Sequence, residues 1–301
     1  MINLWDMALS GLSTSGIALQ TLWGPPTNQF QGYSLDDRDP AVIETLMPYW
    51  QWAYDHYFQA QSDGWHQIPD GQVLLVGSHN GGLAAPDMHL SIYQWMRHFG
   101  PDRLTYGLMH PNMWTALPHF AQLATQVGAI RANSRLALAA FQRGASVLVY
   151  PGGGQDVFRP HHQRDQIYFA GRTGFIKLAL RTEVPIVPVV SWGAHDTLFV
   201  LGDFYEQAKE WHQRLGLPWF FFGIDPETFP IYVGLPWGLA LGPLPNIPWC
   251  HPIRIRVGQP ITFSRYGRDA ACDLDYVAEC CDRVRQAMQQ DLTALAIAAQ
   301  A

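Results

Sequence analysis

Short apolar runs and longer helical stripes alternate along most of the chain, in the order expected of an α/β protein. Pro40 to Ala60 crowds aromatic side chains onto a predicted helix, at a spacing that suits either a core or a lipid headgroup boundary. Val73 to Gly77 is a compact apolar run that reads as a buried strand. It breaks into the turn SHNGGLAAPD, whose last residue, Asp87, is placed to cap a helix over 88–99. The pattern then predicts a strand over 103–109, a helix over 113–126 despite Pro118, and a short strand over 128–131. A helix from Asn133 to about Gly144 and the β-branched run 146–150 follow, the latter of the kind buried on both faces of a parallel sheet. Beyond the loop PGGGQDVFRP comes a helix over 171–182, then the run 185–191, whose prolines point to an edge or irregular strand. A helix over 206–215, an alternating strand over 253–257 and a long helix from Asp273 to about Ala299 complete the pattern.

Alternation of this kind predicts a single α/β domain over 41–301, with a mostly parallel central sheet flanked by helices and an aromatic-rich helix at its N-terminal side. Residues 1–40, rich in Gly and Pro, read as an irregular arm. The segment 216–252 departs from the pattern, because it carries no Lys or Arg and interleaves Trp and Phe with Pro and Gly. It reads as an apolar cap or loop layer over the site, dipping into lipid.

Charge narrows the partners. A net charge of -6, with only 15% charged against 13% aromatic residues, excludes nucleic acid and a polybasic membrane anchor, so membrane contact must be apolar. The 4 cysteines show neither a disulfide framework nor paired zinc spacing, which fits a reducing, cytoplasmic setting with peripheral membrane association. The N-terminus lacks the basic start and apolar core of a signal peptide, and no run approaches the ~18 apolar residues of a spanning helix.

His79 is the leading candidate for chemistry, since a neutral imidazole can accept a proton from an attacking hydroxyl. Asp87 can orient it, or can serve only as a helix cap. Asn80, Gly81 and Gly82 after one strand, and Pro151, Gly152 and Gly153 after another, place exposed backbone at two strand ends that face one crevice in a parallel sheet. Their N–H groups can hold an oxyanion, or the glycines can simply make tight turns. PGGGQD lacks the Lys-Ser/Thr ending of a nucleotide-phosphate loop, and no G-x-S-x-G elbow is present. Arg131, Arg159 and Arg172 suit the phosphates of coenzyme A or a phosphopantetheine carrier, with a solvated surface charge as the plainer alternative. His161 and His162 find no third ligand at metal-site spacing, so no metal is expected.

The blocks SHNGGLAAPD, GAIRAN, VLVYPGGGQDVFRP, GRTGFIKLAL and VPIVPVVSWG, in this order, resemble those of the glycerolipid (lysophospholipid) acyltransferase superfamily. They are most similar to its diacylglycerol-acyltransferase-like branch, which includes plant phytyl ester synthases. The resemblance runs from about Leu46 to Ile261. It implies an α/β enzyme that moves a long-chain acyl group from an acyl-CoA or acyl-carrier-protein thioester to a lipid hydroxyl, with His79 as base and no metal or cofactor.

Two departures bear on the acceptor and the site. Seven residues separate His79 from Asp87, more than in the superfamily's usual first block, and Pro151-Gly152-Gly153 lacks the usual glutamate. The second departure points to a neutral acceptor: diacylglycerol, a long-chain alcohol or a prenylquinol. Arg131, near the second-block arginine position, keeps a lysophosphatidate acyltransferase as the alternative, and a non-catalytic lipid-binding protein is a further one.

Overall fold

The computed structural model describes residues 29–216 and 225–300, and in it the apolar runs lie side by side in one sheet. In chain order the elements are α1 (Pro40–Trp52), β1 (Gln61–Asp63), β2 (Leu74–Gly77), α2 (Pro86–Phe99), β3 (Thr105–Met109), α3 (Met113–Ala116), α4 (Pro118–Val127), β4 (Ala129–Arg131), α5 (Ser134–Gln142) and β5 (Ser146–Val149). Then come α6 (Gly153–Val157), α7 (Gly174–Thr182), β6 (Ile186–Trp192), β7 (Phe199–Asp203), α8 (Tyr205–Leu215), β8 (Pro230–Gly234), β9 (Gly238–Leu241), β10 (Arg254–Val257), α9 (Gly267–Cys272) and α10 (Leu274–Gln300).

Seven strands form the main sheet in the order β1-β10-β6-β2-β5-β3-β4. From β6 to β4 the neighbours are parallel, and only the pairing of β10 with β6 is antiparallel. Val76 on β2 lies between Val149 on β5 and Pro188 on β6, so the loops after these three strands leave the sheet at one end. The all-apolar sequence of β2 follows from its place. Leu74 and Val76 pack into a layer with Ile176 of α7 and Val284 of α10, while Leu75 packs into the opposite layer with Ile43 of α1 and Leu90 of α2.

Several elements differ from the sequence reading. The run with two prolines is an interior strand, not an edge: β6 pairs with β2 on one side and β10 on the other. Pro188 is tolerated there because β10 has ended at Val257, and its carbonyl accepts from the Gly258 N–H in the following loop. The helix expected over 113–126 is two helices, broken at Leu117 where the ring of Pro118 starts a new one. The helix after His79 begins at Pro86 rather than Met88, with Ala85 at its cap position and Asp87 inside its first turn. The aromatic helix divides between two roles, with Trp50 in the core and Tyr49 exposed.

The apolar segment before β10 has more order than expected. β7, β8 and β9 form a separate antiparallel sheet, in which Val200, Tyr232 and Ala240 turn inward onto Val157 and Phe158 at α6. Trp219, Phe220, Phe221 and Phe222 of the predicted cap lie outside the described residues, as does most of the N-terminal arm. The described end of that arm runs beside β4, where Gly32 C=O accepts from the Arg131 N–H.

Candidate active site

The turn after β2 carries His79, and its main chain is gripped on both sides. The His79 N–H donates to Asp156 Oδ2 at 2.6 Å, and the His79 carbonyl accepts from Arg159 Nη1 at 2.8 Å. Asp156 and Arg159 are themselves ion-paired at 2.9 Å, one helical turn apart, and both are essentially inaccessible. Burial pushes the Asp156 carboxyl up to about 6, with Arg159 pulling it back. A buried pair of this kind is worth ~3–5 kcal/mol against loss of one partner, because the survivor is left as an uncompensated charge. One ion pair thus fixes the peptide units on both sides of His79.

The ring of His79 sits against Tyr150, the residue that follows β5, with centroids 4.7 Å apart. Gly77 is required for this approach, since a Cβ there would lie 2.2 Å from the Tyr150 ring. Nδ1 of His79 is buried without a hydrogen-bond partner. Burial, with Arg159 and His89 adding to it, pushes the imidazole pKa down to about 3, so the ring is neutral at physiological pH.

No hydrogen bond joins Asp87 to this ring in the structure. Its Oδ2 accepts from Asn80 Nδ2 at 2.9 Å and from Ser191 Oγ at 3.3 Å, and its Oδ1 accepts from the Met88 N–H at 2.9 Å. Burial raises its pKa to about 7, against the hydrogen bond from Asn80. The long spacing from His79 carries the carboxylate past the imidazole and into a buried network with Ser191 at the neighbouring strand β6. Asn80 is consumed by the same network. Its Nδ2, with two protons, lies within hydrogen-bond distance of three acceptors, Asp87, Ser191 and the Ser78 carbonyl, and its Oδ1 accepts from Arg159 Nη2, so its donors are taken up by the scaffold.

The two glycine turns are packed, not open. A Cβ at Gly81, which has φ +79°, would lie 2.7 Å from Thr197 Oγ1, and one at Gly152 would lie 2.2 Å from Asp156 Cβ. Asn246, from the loop after β9, clasps the first turn by donating to the Gly81 carbonyl and accepting from the Ala84 N–H. In the second, Arg172 Nη1 donates to the carbonyls of Pro151 and Gly152, and a Cβ at Gly153 would meet that same guanidinium at 3.3 Å.

The arginines divide. Arg159 is 2% exposed and donates through Nε to Gln163, through Nη1 to His79 and Asp156, and through Nη2 to Asn80 and Arg164, so it cannot reach a donor phosphate. Arg131 is drawn into the N-terminal segment, lying over the rings of Tyr33 and Trp114 and donating to the Gln31 carbonyl. Arg172 remains half-exposed, paired with Glu227 at 2.8 Å beside the Gly152 turn. Asp156, Ser191 and Tyr150 were not singled out from sequence. The Asp156-x-x-Arg159 spacing was a readable signal for the first, since opposite charges three residues apart are close enough to pair at a helix end.

Among the described residues no group of three or more His, Cys, Asp or Glu is placed to hold a metal ion, and no helix is long and apolar enough to cross a membrane. What the arrangement offers is a neutral histidine, rigidly placed by its backbone, beside two glycine turns at the ends of adjacent parallel strands. That is a layout for removing a proton from a hydroxyl as it attacks a carbonyl.

The family model described as diacylglycerol acyltransferase matches residues 50–293. An uncharacterized protein of Mycobacterium tuberculosis is 28% identical over 95% of this chain and 74% of its own length. Diacylglycerol O-acyltransferase 1 of Schizosaccharomyces pombe is 24% identical over 75% of this chain and 64% of its own. Acyl-CoA wax alcohol acyltransferase 2 of Homo sapiens is 22% identical over 73% and 66%. The crystal structure of the 1-acyl-sn-glycerophosphate acyltransferase PlsC from Thermotoga maritima aligns over 94% of this chain and 92% of its own with a TM-score of 0.45 and 12% identity. With its family model spanning most of the sequence, the chain belongs to the diacylglycerol acyltransferase family and is an acyltransferase.

Proposed function

We propose that the protein transfers a long-chain acyl group from an acyl thioester, coenzyme A or acyl carrier protein, to a neutral lipid alcohol such as diacylglycerol, a long-chain alcohol or a prenylquinol. The observation that carries this reading is the backbone-clamped His79 beside the Gly152 turn in a chain of this family. The alcohol gives its proton to the imidazole as its oxygen attacks the thioester carbonyl. In this reading the oxyanion takes hydrogen bonds from the N–H groups of the Gly81–Gly82 turn and of Gly152, the Gly153 N–H being already donated to the Tyr150 carbonyl. Collapse breaks the C–S bond, and the leaving thiolate takes the proton back from the imidazolium, so ester and free thiol result. General-base help is worth roughly 10²–10⁴-fold. The scheme uses no metal and no cofactor.

A neutral acceptor is favoured over lysophosphatidate because Arg131, the residue that kept that alternative open, is covered by Tyr33 and bonded to Gln31. Arg172, half-exposed beside the glycine turn, is the arginine best placed to meet the donor's phosphates. Such an enzyme works peripherally at a membrane, where its acceptor resides.

The test is His79→Ala in the purified chain, assayed for ester formation with diacylglycerol, a long-chain alcohol, a prenylquinol and lysophosphatidate side by side. Transfer to a neutral alcohol is expected, and the variant is expected to lose at least ~10²-fold of it while melting as the parent does. A folded variant that retains the activity rules out the mechanism, and preferential acylation of lysophosphatidate rules out the acceptor class.

A further inference from the structure

The small sheet has two apolar faces. In β7 and β9 the inward residues are Val200 and Ala240, whereas the outward ones are Phe199, Leu201, Leu239 and Leu241, exposed by 41%, 51%, 65% and 56%. A sheet face left to water alternates to polar residues, so this face is built to be covered. Trp237, 53% exposed, stands at the hairpin that joins β8 to β9. No Asp, Glu, Lys or Arg occurs anywhere in residues 228–253.

The next element repeats the signal independently. The chain passes from β7 directly into α8, where Trp211 and Leu215 continue a helical stripe begun by Phe204 and Ala208, and none of the helix is buried. Trp211 is 54% and Leu215 68% exposed. An amphipathic helix with its apolar stripe uncovered, following an uncharged apolar sheet face, has the composition of an interfacial membrane contact.

The inner face of the same sheet reaches the candidate site. Tyr232 packs with Phe158 and the partly buried Leu83 of the His79 turn, and Asn246 holds Gly81 and Ala84. The sheet is therefore a single layer between the His79 turn and the exterior, and packed layers are spaced by ~10 Å.

We propose that the outward face of β7–β9, together with the exposed stripe of α8, docks on the surface of a lipid bilayer and holds the His79 turn one sheet layer from its acceptor. The β8–β9 part of the face is uncharged and Asp203, Glu206 and Glu210 lie at its edge, so it suits a zwitterionic bilayer rather than an anionic one. The choice of a bilayer over a protein partner rests on the acyl-transfer reading, in which the acceptor is itself a lipid.

Flotation of the full chain with phosphatidylcholine vesicles containing diacylglycerol tests this. The parent floats. The L201E/L239E variant is expected to lose roughly tenfold or more in vesicle affinity per residue, the cost of withdrawing a buried leucine. Ile297→Glu, at a 65% exposed apolar position on α10, floats as the parent does. L201E/L239E also keeps its melting temperature and its turnover with a water-dispersed short-chain alcohol, but loses acylation of vesicle-borne diacylglycerol. Unchanged flotation of L201E/L239E overturns the proposal. So does a parent that forms a dimer, fails to float and is made monomeric by these substitutions, since the face then belongs to a second copy. A chain that floats through this face yet acylates no acceptor refutes the acyl-transfer reading and leaves the docking surface standing. One that acylates a dispersed alcohol but never floats does the reverse.

Discussion

A catalytic histidine is commonly oriented through its second ring nitrogen, and in His79, the base of the proposed mechanism, Nδ1 is buried with no partner. Orientation comes instead from the main chain, through Asp156 on the N–H and Arg159 on the carbonyl, and from the Tyr150 ring. Asp87 holds Asn80 and Ser191, one step removed from the imidazole. Two roles for Asp87 therefore predict different magnitudes. An aspartate that fixes the tautomer of a catalytic histidine is worth ~10⁴ in kcat. Asp87→Asn keeps an oxygen for Asn80 and exchanges a carboxyl whose pKa burial already lifts to about 7 for a neutral amide. Its kcat with a dispersed alcohol acceptor is expected to fall well short of that ~10⁴-fold loss. A loss that reaches it would show that the aspartate swings onto His79 during turnover.

At the scale of elements, the site depends on how closely the Gly152 turn packs against Asp156 and Tyr168. Gly152 faces Asp156 Cβ and the Tyr168 carbonyl, at 2.2 and 2.4 Å from a built Cβ, whereas the nearest atom at Gly154 is Thr228 Cγ2 at 3.3 Å. Gly152→Ala is expected to push Asp156 off the His79 N–H, lowering unfolding free energy by ~1–3 kcal/mol as overpacking does and reducing transfer with it. Gly154→Ala is expected to be close to neutral in both. Equal effects in denaturant titrations of the two variants would contradict this account. The sequence carried the strands and helices of the parallel core because burial on both faces leaves unbroken apolar runs such as Leu74–Val76. It did not carry β1, three polar residues whose strand exists only because β10 lies beside it, nor β8 and β9, whose Pro and Gly mask a hairpin register. His79 and the glycines were legible for their residue types. That Arg159 and Asn80 serve the scaffold was not, because a side chain's partners are set by tertiary contacts between segments about 80 residues apart.

For the whole molecule, the distribution of charge sets the kind of membrane that the proposed docking face would suit. Acidic residues outnumber basic ones by 25 to 19, and the apolar face between Thr228 and Ile253 carries no charge of either sign. An anionic bilayer with a surface potential near −30 mV acts on each protein charge held within a Debye length, about 8 Å at physiological salt. The charges beside the face, including Asp203 at the end of β7 and Glu206 and Glu210 on α8, are mostly acidic, with Lys209 and Arg214 partly offsetting them. The electrostatic contribution to the proposed docking on an anionic bilayer is therefore unfavourable, and apolar insertion would have to supply the binding. Affinity for phosphatidylcholine vesicles is expected to be insensitive to salt. Affinity for vesicles enriched in phosphatidylserine is expected to be weaker at low salt and to recover toward the neutral value as salt rises, measured by co-sedimentation across a sodium chloride series. The opposite slope, tighter binding to phosphatidylserine that salt abolishes, would mean that a basic surface elsewhere on the chain carries the attachment.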